Sequence, residues 1–500
     1  MKDLGNGSLN NNSSREVAFF ILNEYFRTKK PLKNIINKKF SIFKPSSRDK
    51  RFISNIIKGT IRYLLKIDFC IDLFSNKPTG RMDYSVLNIL RMGVSQLAYM
   101  DRVPSYSVVN ESVEITKKYV SNPSSKFINA LLRKISSIDS IKLFINNKIN
   151  ELIEDYLKKI SIKYSYPYWI VKYWTENYGS KKTERICLAL NKEPSFFIRI
   201  NRLKNLKKDL IEKLLDKKGI NLKTDKLTDE FIKYTEKEKN LFEDVIVTDS
   251  VQNIENIDFY KEGIFTIQDL SSQIAVKYFV RPKKGEIILD LCSAPGGKTT
   301  YMAELMGNEG KIVSVDINGK KQKLLDDNIR RLGINNVIIL IADASKPDYL
   351  ETGSCNLGDY GSKDYIESFD KIFIDSPCSA FGTISKNPDV KYNKKLKDLH
   401  HFADKSYNIL INCHKYLKTG GMIIFYTCTI SHLENQKTIE KFLKKFGSKY
   451  KLEKLKIFNK IKPISTYNKG DIDLREKDYF EIMPYYFNSE AGFICKLIKY

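Results

Sequence analysis

Beyond Gly263 the chain alternates short apolar runs with amphipathic stretches. The runs are Glu286–Asp290, Lys311–Asp316, Val337–Asp343, Phe369–Asp375 and Gly421–Thr427. Helical patterns follow at about Lys298–Met306, Gly319–Leu332, Leu396–Leu417 and Glu434–Phe446. Strict alternation of this kind predicts a doubly wound, mostly parallel sheet, because a parallel crossover needs a helix to return the chain. In such sheets ligands bind just past the C-terminal ends of the strands. Four of the five runs end in an acid, at Asp290, Asp316, Asp343 and Asp375, and the fifth runs into Thr427-Cys428. The residues able to do chemistry are therefore expected along one edge of one sheet.

Upstream the period changes to that of amphipathic helices. Ala18, Ile21, Leu22, Tyr25 and Phe26 share one face. Ile53, Ile56, Ile57, Ile61, Leu64 and Leu65 make a second stripe, and Val86, Ile89, Leu90, Gly93 and Leu97 a third. The chain is accordingly read as a loose N-terminus (1–14), an all-α domain (15–140), a helical linker (141–165), a small α+β subdomain (166–255) and the sheet domain (256–500). Within the subdomain, Phe196–Ile200 reads as a strand and Leu206–Lys217 as a helix.

Composition narrows the class. A hydrophobic fraction of 42% in 500 residues supports several cores and excludes full-length disorder. A net charge of +26 points to a polyanionic partner, nucleic acid or a membrane surface. Abundant Lys, Asn and Ile also raise the charge, so charge alone does not choose. The first residues lack the apolar core of a signal peptide, and no apolar run approaches the ~20 residues that span a bilayer. The eight cysteines are scattered, without a CxxC pair or a Cys/His cluster at zinc spacing. His400 and His401 are neighbours that do not share a helix face. The expectation is a soluble, reduced, cytoplasmic protein with no metal site. The Lys454–Lys462 stretch reads as a solvated face.

After the first run comes Asp290-Leu-Cys-Ser-Ala-Pro-Gly-Gly-Lys-Thr-Thr300. Pro295-Gly296-Gly297 permits a tight turn and close approach of a ligand to backbone. A Walker A loop would need a glycine where Cys292 stands, so the phosphate cradle lacks its opening residue, although Asp375 imitates a Walker B acid. The other reading is a nucleoside cofactor without a phosphate chain. Asp316 is placed for ribose hydroxyls and Asp343 for an adenine amino group, which together suit S-adenosylmethionine. Any one such Asp could equally be a helix N-cap; three beside a glycine turn argue for the ligand.

Asp375-Ser-Pro-Cys378 follows the fourth run and Thr427-Cys428-Thr429 the fifth, so neighbouring strand ends would bring two thiols to the cofactor edge. C5 of a pyrimidine is a poor nucleophile. A thiolate adding to C6 makes the ring enamine-like, C5 then attacks a methyl sulfonium, and loss of the C5 proton expels the thiol. Such a thiol is expected to be partly ionised. Asp375 is placed to stabilise charge near ring N3. The residues alone do not say which thiol attacks.

With these motifs in place, the sequence resembles the RNA cytosine-C5 methyltransferases, and most closely the bacterial 16S rRNA methyltransferase B group (the RsmB/Sun/Fmu family). Gly263 to Gln273 is similar to the family's lead-in motif, Asp290 to Thr299 to its D-x-C-x-A-P-G-G-K-T loop, and Asp375 to Gly382 to its D-A-P-C-S-G-x-G motif. Thr427-Cys428 with Glu434-Asn435 resembles the T-C…E-N signature, and Phe487 to Tyr500 its closing strand. Pro104 to Val113 and Lys126 to Arg133 resemble the NusB-like RNA-binding domain fused to this group. Ser165 to Trp169 and Arg199-Ile-Asn201 resemble its small RRM-like connecting subdomain. Four features depart: Ala380 stands for a usual Gly, Ser376 for Ala, Tyr426 for Ser, and Ser385 to Tyr392 for an Arg-rich, Trp-ended version.

The resemblance implies a NusB-like bundle, a small α+β subdomain and a Rossmann-like class I methyltransferase domain. It implies that Cys292, Ser293, Ala294, Pro295, Gly296, Gly297, Lys298, Asp316, Asp343 and Asp375 line the S-adenosylmethionine site. It makes Cys428 the nucleophile and Cys378 the assistant in product release. The implied activity is methyl transfer to C5 of a cytosine in 16S ribosomal RNA by a monomer, with no membrane and no metal involved. Alternatives are the same chemistry on transfer RNA or large-subunit RNA, or a non-catalytic RNA-binding or antitermination module. DNA cytosine methylation would use Pro377-Cys378 but needs neither Cys428 nor the helical domain.

Overall fold

A computed structural model describes residues 12–218, 220, 222, 244–248, 254–352, 354–355, 365–454 and 478–500. Most of the N-terminal tail and all of Lys454–Lys462 except Lys454 lie outside the described residues. The chain divides into two compact units. One holds residues up to Asn191 together with 386–394, and the other holds 192–385 and 395–500.

The first unit is all α among the described residues. Its first helix, Ser14–Thr28, starts where Ser13 accepts a hydrogen bond from the Glu16 N–H and Glu16 reaches back to the Ser13 N–H at 2.8 Å. Leu32–Phe43, Ser47–Arg62, Leu64–Phe74 and Tyr84–Tyr99 follow, with further helices to Leu190. The predicted stripes are its core: Ala18, Ile21, Leu22, Ile53, Ile56, Ile57, Ile61, Ile89 and Leu90 are fully buried. Gly93 lies so close to Leu132 that a Cβ there would sit 2.9 Å from its methyls.

Residues 386–394 complete this core. Lys391 is fully buried, with Nζ donating to the Arg62 carbonyl at 2.8 Å and lying over the Tyr166 ring at 4.2 Å. Tyr392 donates to the Ser165 carbonyl at 2.8 Å, and Asp389 accepts from the Leu32 N–H at 3.1 Å. This segment is where the sequence departs from the Arg-rich family version.

The second unit begins with a small antiparallel sheet ordered β2-β1-β3, made of β1 (Phe196–Ile200), β2 (Val245–Thr248) and β3 (Phe265–Ile267). Helix Lys208–Lys217 packs Ile211 and Leu215 against Ile198, Ile246 and Phe265. The large sheet contains β4 (Ile287–Leu291), β5 (Lys311–Asp316), β6 (Val337–Ile341), β7 (Ser354–Cys355), β8 (Phe369–Asp375), β9 (Leu417–Thr427), β10 (Tyr450–Leu452), β11 (Tyr479–Ile482) and β12 (Gly492–Lys499). Its order is β10-β12-β9-β8-β4-β5-β6-β7, with β11 also paired to β12. The five central strands are mutually parallel, while β7, β10, β11 and β12 pair antiparallel at the margins.

Alternate residues feed opposite cores, as a period of two requires. Ile288, Phe373, Ile424 and Ile494 face one layer. Leu289, Leu291, Ile372, Ile374 and Phe425 face the other. Two boundaries differ from expectation. The helix beginning at Leu396 ends at Cys413, because Leu417 already pairs with Phe369 and opens an eleven-residue strand. The closing strand starts at Gly492, because Pro484–Phe487 makes a helical turn before it.

Candidate active site

The strand order switches sides at β4, which is flanked by β5 on one side and β8 on the other, all three running parallel. A crevice at the strand ends is the expected consequence. The turn after β4 is held by the neighbouring strand β5. The Ser293 N–H donates to the Val315 carbonyl at 3.1 Å, Ser314 donates to Ser293 Oγ at 2.6 Å, and the Ala294 N–H donates to Asp316 Oδ2 at 3.1 Å. Gly296 has φ +94, and a Cβ there would meet Leu325 at 2.1 Å, so both backbone angle and space exclude a side chain. Cys292 also has positive φ; burial and the charges of Asp316 and Asp375 push its thiol well above the ordinary range. Asp343, two residues past β6, is held by the Ser345 N–H at 3.0 Å and hydroxyl at 2.6 Å. Burial pushes its pKa up, but those bonds outweigh it and leave the carboxyl below its usual value.

Asp290 is fully buried and accepts from Thr299 Oγ1 at 2.6 Å through Oδ2. Its Oδ1 has no hydrogen-bond partner among the described residues. Burial, opposed by Thr299 but reinforced by Asp375 and Asp316, pushes its pKa up from 3.8 to about 7. The folded state therefore holds a proton that the unfolded chain has released between these values. That contribution to stability is full below about pH 4 and is lost as pH rises through about 7. Asp290→Asn keeps an acceptor toward Thr299 and is expected to flatten this slope, so that its Tm changes less than wild type between about pH 5 and 7.5. Equal slopes in the two proteins would refute the assignment.

The donor set suits one kind of ligand. Four acids ring the crevice, at Asp290, Asp316, Asp343 and Asp375, with Lys298 among them. A phosphate chain would meet repulsion there, whereas hydroxyls, an ammonium or a sulfonium would be stabilised. The missing Walker glycine and the charge thus argue the same way.

The two predicted thiols meet through sheet register. Asp375 lies opposite Tyr426 in the parallel β8–β9 pair. Cys378 is three residues beyond the first and Cys428 two beyond the second, and their sulfurs are 3.5 Å apart. The Ser376 N–H donates to the Tyr426 carbonyl at 2.8 Å and the Gly382 N–H to the Cys428 carbonyl at 3.0 Å, tying the two turns together. Ala380, where the family has glycine, sits at φ 61 in the left-handed region. Lys298 Nζ donates to Asp375 Oδ2 at 2.7 Å and lies 4.7 Å over the Tyr426 ring, whose hydroxyl is 3.2 Å from Ser271 Oγ. Burial opposes the charge on Lys298, but Asp375 prevails and raises its pKa.

The thiol environment corrects one expectation. The bond to Cys378, burial and the charge of Asp375 push the Cys428 thiol well above its ordinary range. Cys428 is therefore a protonated thiol in the free protein, not an ionised one, since burial among acids disfavours an anion.

Several residues that hold this site carry motif resemblances in the sequence but no assigned task. Glu434, fully buried, accepts from the Ser379 N–H at 2.6 Å and from Ser379 Oγ at 2.7 Å, and Ser379 Oγ lies 2.6 Å from Thr429 Oγ1. Thr427 Oγ1 donates to Asn435 Oδ1 at 2.7 Å, and Asn435 donates to the Thr429 carbonyl at 3.2 Å. These bonds clamp one thiol turn to the other. Arg199, on β1, donates to Glu304 at 2.6 Å, Gln268 at 2.6 Å, the Gly297 carbonyl at 2.8 Å and Thr300 Oγ1 at 3.2 Å. Both members of the Arg199–Glu304 pair have 0% side-chain exposure. The available signal was an arginine within the apolar run Phe196-Phe-Ile-Arg-Ile200.

Among the described residues, no group of three or more His, Cys, Asp or Glu side chains could hold a metal ion. No helix among them is long and apolar enough to cross a membrane.

Comparison with known proteins places this architecture. Residues 277–498 match the family described as 16S rRNA methyltransferase RsmB/F, 12–137 the NusB family, and 166–237 the RsmF/B-like ferredoxin-like domain. A shorter match, 205–348, is to protein-L-isoaspartate(D-aspartate) O-methyltransferase. The probable ribosomal RNA small subunit methyltransferase B of Bacillus subtilis is 28% identical over 457 residues, covering 91% of each chain. The ribosomal RNA small subunit methyltransferase B of Escherichia coli K12 is 29% identical over 404 residues, covering 80% of this chain and 83% of that one. In fold, the crystal structure of PH0851 aligns with a TM-score of 0.71 at 23% identity over 98% of this chain and 99% of that one. A methyltransferase homolog from Pyrococcus horikoshii aligns at 0.52 and 24% over 70% and 100%. Three successive domain matches together span most of the chain, and its methyltransferase domain, residues 277–498, belongs to the family described as 16S rRNA methyltransferase RsmB/F.

Proposed function

We propose that this protein transfers a methyl group from S-adenosylmethionine to C5 of a cytosine in 16S ribosomal RNA, by way of a covalent bond between Cys428 Sγ and ring C6. The observation that carries this reading is the pair of sulfurs 3.5 Å apart on the same sheet edge as the glycine turn and the four acids. A single thiol would suffice for adduct formation; the second suits adduct release.

When bound, the cofactor supplies an electrophilic methyl. The turn from Cys292 to Gly297 would approach it through backbone, Asp316 would take ribose hydroxyls and Asp343 the adenine amino group. Asp290 Oδ1, a buried acceptor in want of a donor, suits the ammonium of the amino-acid moiety. Asp375, held by Lys298, faces N3 of a cytosine turned out of its stack. Because Cys428 is protonated in the free protein, addition is best written as proton-neutral. Sγ bonds to C6, the thiol proton passes to N3 by way of Asp375, and the electron pair moves toward C5. After methylation C5 carries both a methyl and a proton. Cys378, acting as a thiolate whose own proton has gone to solvent, takes that proton; the C6–Sγ bonding pair leaves with Cys428 Sγ, which regains a proton from N3 by way of Asp375, and the aromatic ring is restored.

The RNA partner, action as a monomer and a bacterial cytoplasmic location belong to this reading. Bisulfite sequencing of ribosomal RNA from cells with and without the gene tests it. One 16S cytosine is expected to lose its protection when the gene is absent. Loss of protection only in transfer RNA or large-subunit RNA would redirect the substrate, and no change anywhere would overturn the reading.

A further inference from the structure

The net charge of +26 is not spread evenly. Residues 27–62 carry twelve Lys and Arg against a single acid, Asp49. Residues 151–184, of the same unit and similar length, carry six Lys against five acids. Compositional drift would load both stretches alike. The basic stretch comprises the end of the first helix, helices Leu32–Phe43 and Ser47–Arg62, and the three-residue turn between them. Its apolar residues Leu32, Ile35, Ile36, Ile53, Ile56 and Ile57 point inward, which leaves most of the cations of residues 27–51 exposed, while Arg62 is buried and Lys58 half-buried.

These cations are poorly compensated. Lys38 and Lys39 share one partner, Glu24, at 3.9 and 3.1 Å. Lys30, Lys33, Lys44, Lys50 and Arg51 are exposed and form no ion pair among the described residues. Arg48 and Lys50 occupy the first turn of their helix, and Lys33 the first turn of its own, where the helix dipole disfavours positive charge. Lys33, Arg62 and Lys386 also crowd Lys58, whose ammonium is held below its usual pKa by burial first and by these neighbours next, with Asp389 alone opposing. Lys386 extends the cluster onto the segment that follows the Cys378 turn in the chain, eight residues on.

We propose that this face, built on residues 27–51 with Lys58 and Lys386, is a docking surface for the phosphate backbone of the RNA substrate. An anionic polymer relieves the like-charge crowding and completes the two helix starts, which a protein surface with scattered carboxylates would do less well. A membrane fits poorly. A helix lying in a bilayer surface needs apolar residues beside its cations, and the only large exposed hydrophobic side chain among the described residues of this stretch is Ile42 at 41%.

The inference rests on the methyltransferase reading for the identity of the RNA, and the test keeps the two separable. The full-length quintuple variant K30Q/K33Q/K44Q/K50Q/R51Q is compared with wild type and with a control, K158Q/K159Q/K172Q/K181Q/K182Q, that removes equal charge from the balanced stretch. Equal Tm values establish that both variants fold. Binding of a labelled RNA hairpin is followed by anisotropy across a salt series, and methyl transfer to transcribed 16S RNA is measured in parallel. The patch variant is expected to lose at least about 10-fold in affinity at about 0.15 M salt, and the slope of log K against log salt to shrink by about 3. The control is expected to stay within about two-fold of wild type. A patch variant with the wild-type slope, or equal losses in both variants, overturns the surface. So does binding to phosphatidylserine vesicles that requires these residues while RNA binding does not. If wild type fails to methylate 16S RNA yet binds the hairpin through these residues, the reaction is wrong and the surface stands. If it methylates and the patch variant keeps the wild-type KM and slope, the surface alone fails.

Discussion

Cys428→Ala is expected to lower methyl transfer by at least about 10³-fold while leaving S-adenosylmethionine affinity within about two-fold, because the variant removes the atom that bonds to C6 and nothing that lines the turn. Cys378→Ala is expected to behave differently. Its Cys428 can still add and C5 can still accept a methyl, but the group proposed to take the C5 proton is gone. A protein–RNA adduct that survives denaturing gel electrophoresis should accumulate, to roughly one RNA per protein, with turnover limited to the first event. The double variant should show neither turnover nor adduct. If Cys428→Ala retained turnover, or if the adduct formed in Cys428→Ala and not in Cys378→Ala, the roles of the two thiols would have to be exchanged or abandoned. The 3.5 Å separation makes this a sharp test, since a base that meets one sulfur has the other beside it.

The second large effect is expected at Arg199. Its guanidinium is buried with Glu304 and also holds Gln268, Thr300 and the Gly297 carbonyl, so removing it strands a buried acid and frees the helix that starts the cofactor turn. Burial already raises the Glu304 pKa against the pull of Arg199. Arg199→Met should therefore cost about 3–5 kcal/mol of stability, measured by urea unfolding, because an unpaired buried charge is left behind. Adding Glu304→Leu should recover more than half of that, since replacing both partners with apolar groups avoids the stranded acid. Cofactor affinity should not recover with it, because the Gly297 carbonyl and Gln268 remain without their donor. A single variant costing under about 1 kcal/mol would refute the argument.

The two cases differ in how legible they were. Both thiols could be found in the sequence, since each follows an apolar run that ends in a polar turn, and strand ends of one parallel sheet collect at one edge. Arg199 could not be assigned a task in the same way. It lies some 100 residues before the turn it supports, and nothing local says that a strand of the small sheet will lay an arginine against Gly297. Glu434 and Asn435 were legible only as part of a family signature. Their work, clamping the Ser379 and Thr429 turns together, exists only once β8 and β9 are paired. The protonation of Cys428 was misjudged for a related reason. A sequence places a cysteine near a reaction but does not count the acids that folding crowds around it.

Periodicity and strand-end chemistry determined the helical domain, the mostly parallel sheet, the edge that carries function and the residues along it. Those signals are local, so they survive in one dimension. Tertiary structure decided the rest. It chose the antiparallel margins of the sheet, brought two sulfurs into contact through the Asp375–Tyr426 register, and buried Lys391 in the helical core although its segment follows the Cys378 turn. It also left most of the cations of residues 27–51 exposed. Each of these depends on distances between residues far apart in the chain, and such distances are set by packing, which no short stretch of sequence contains.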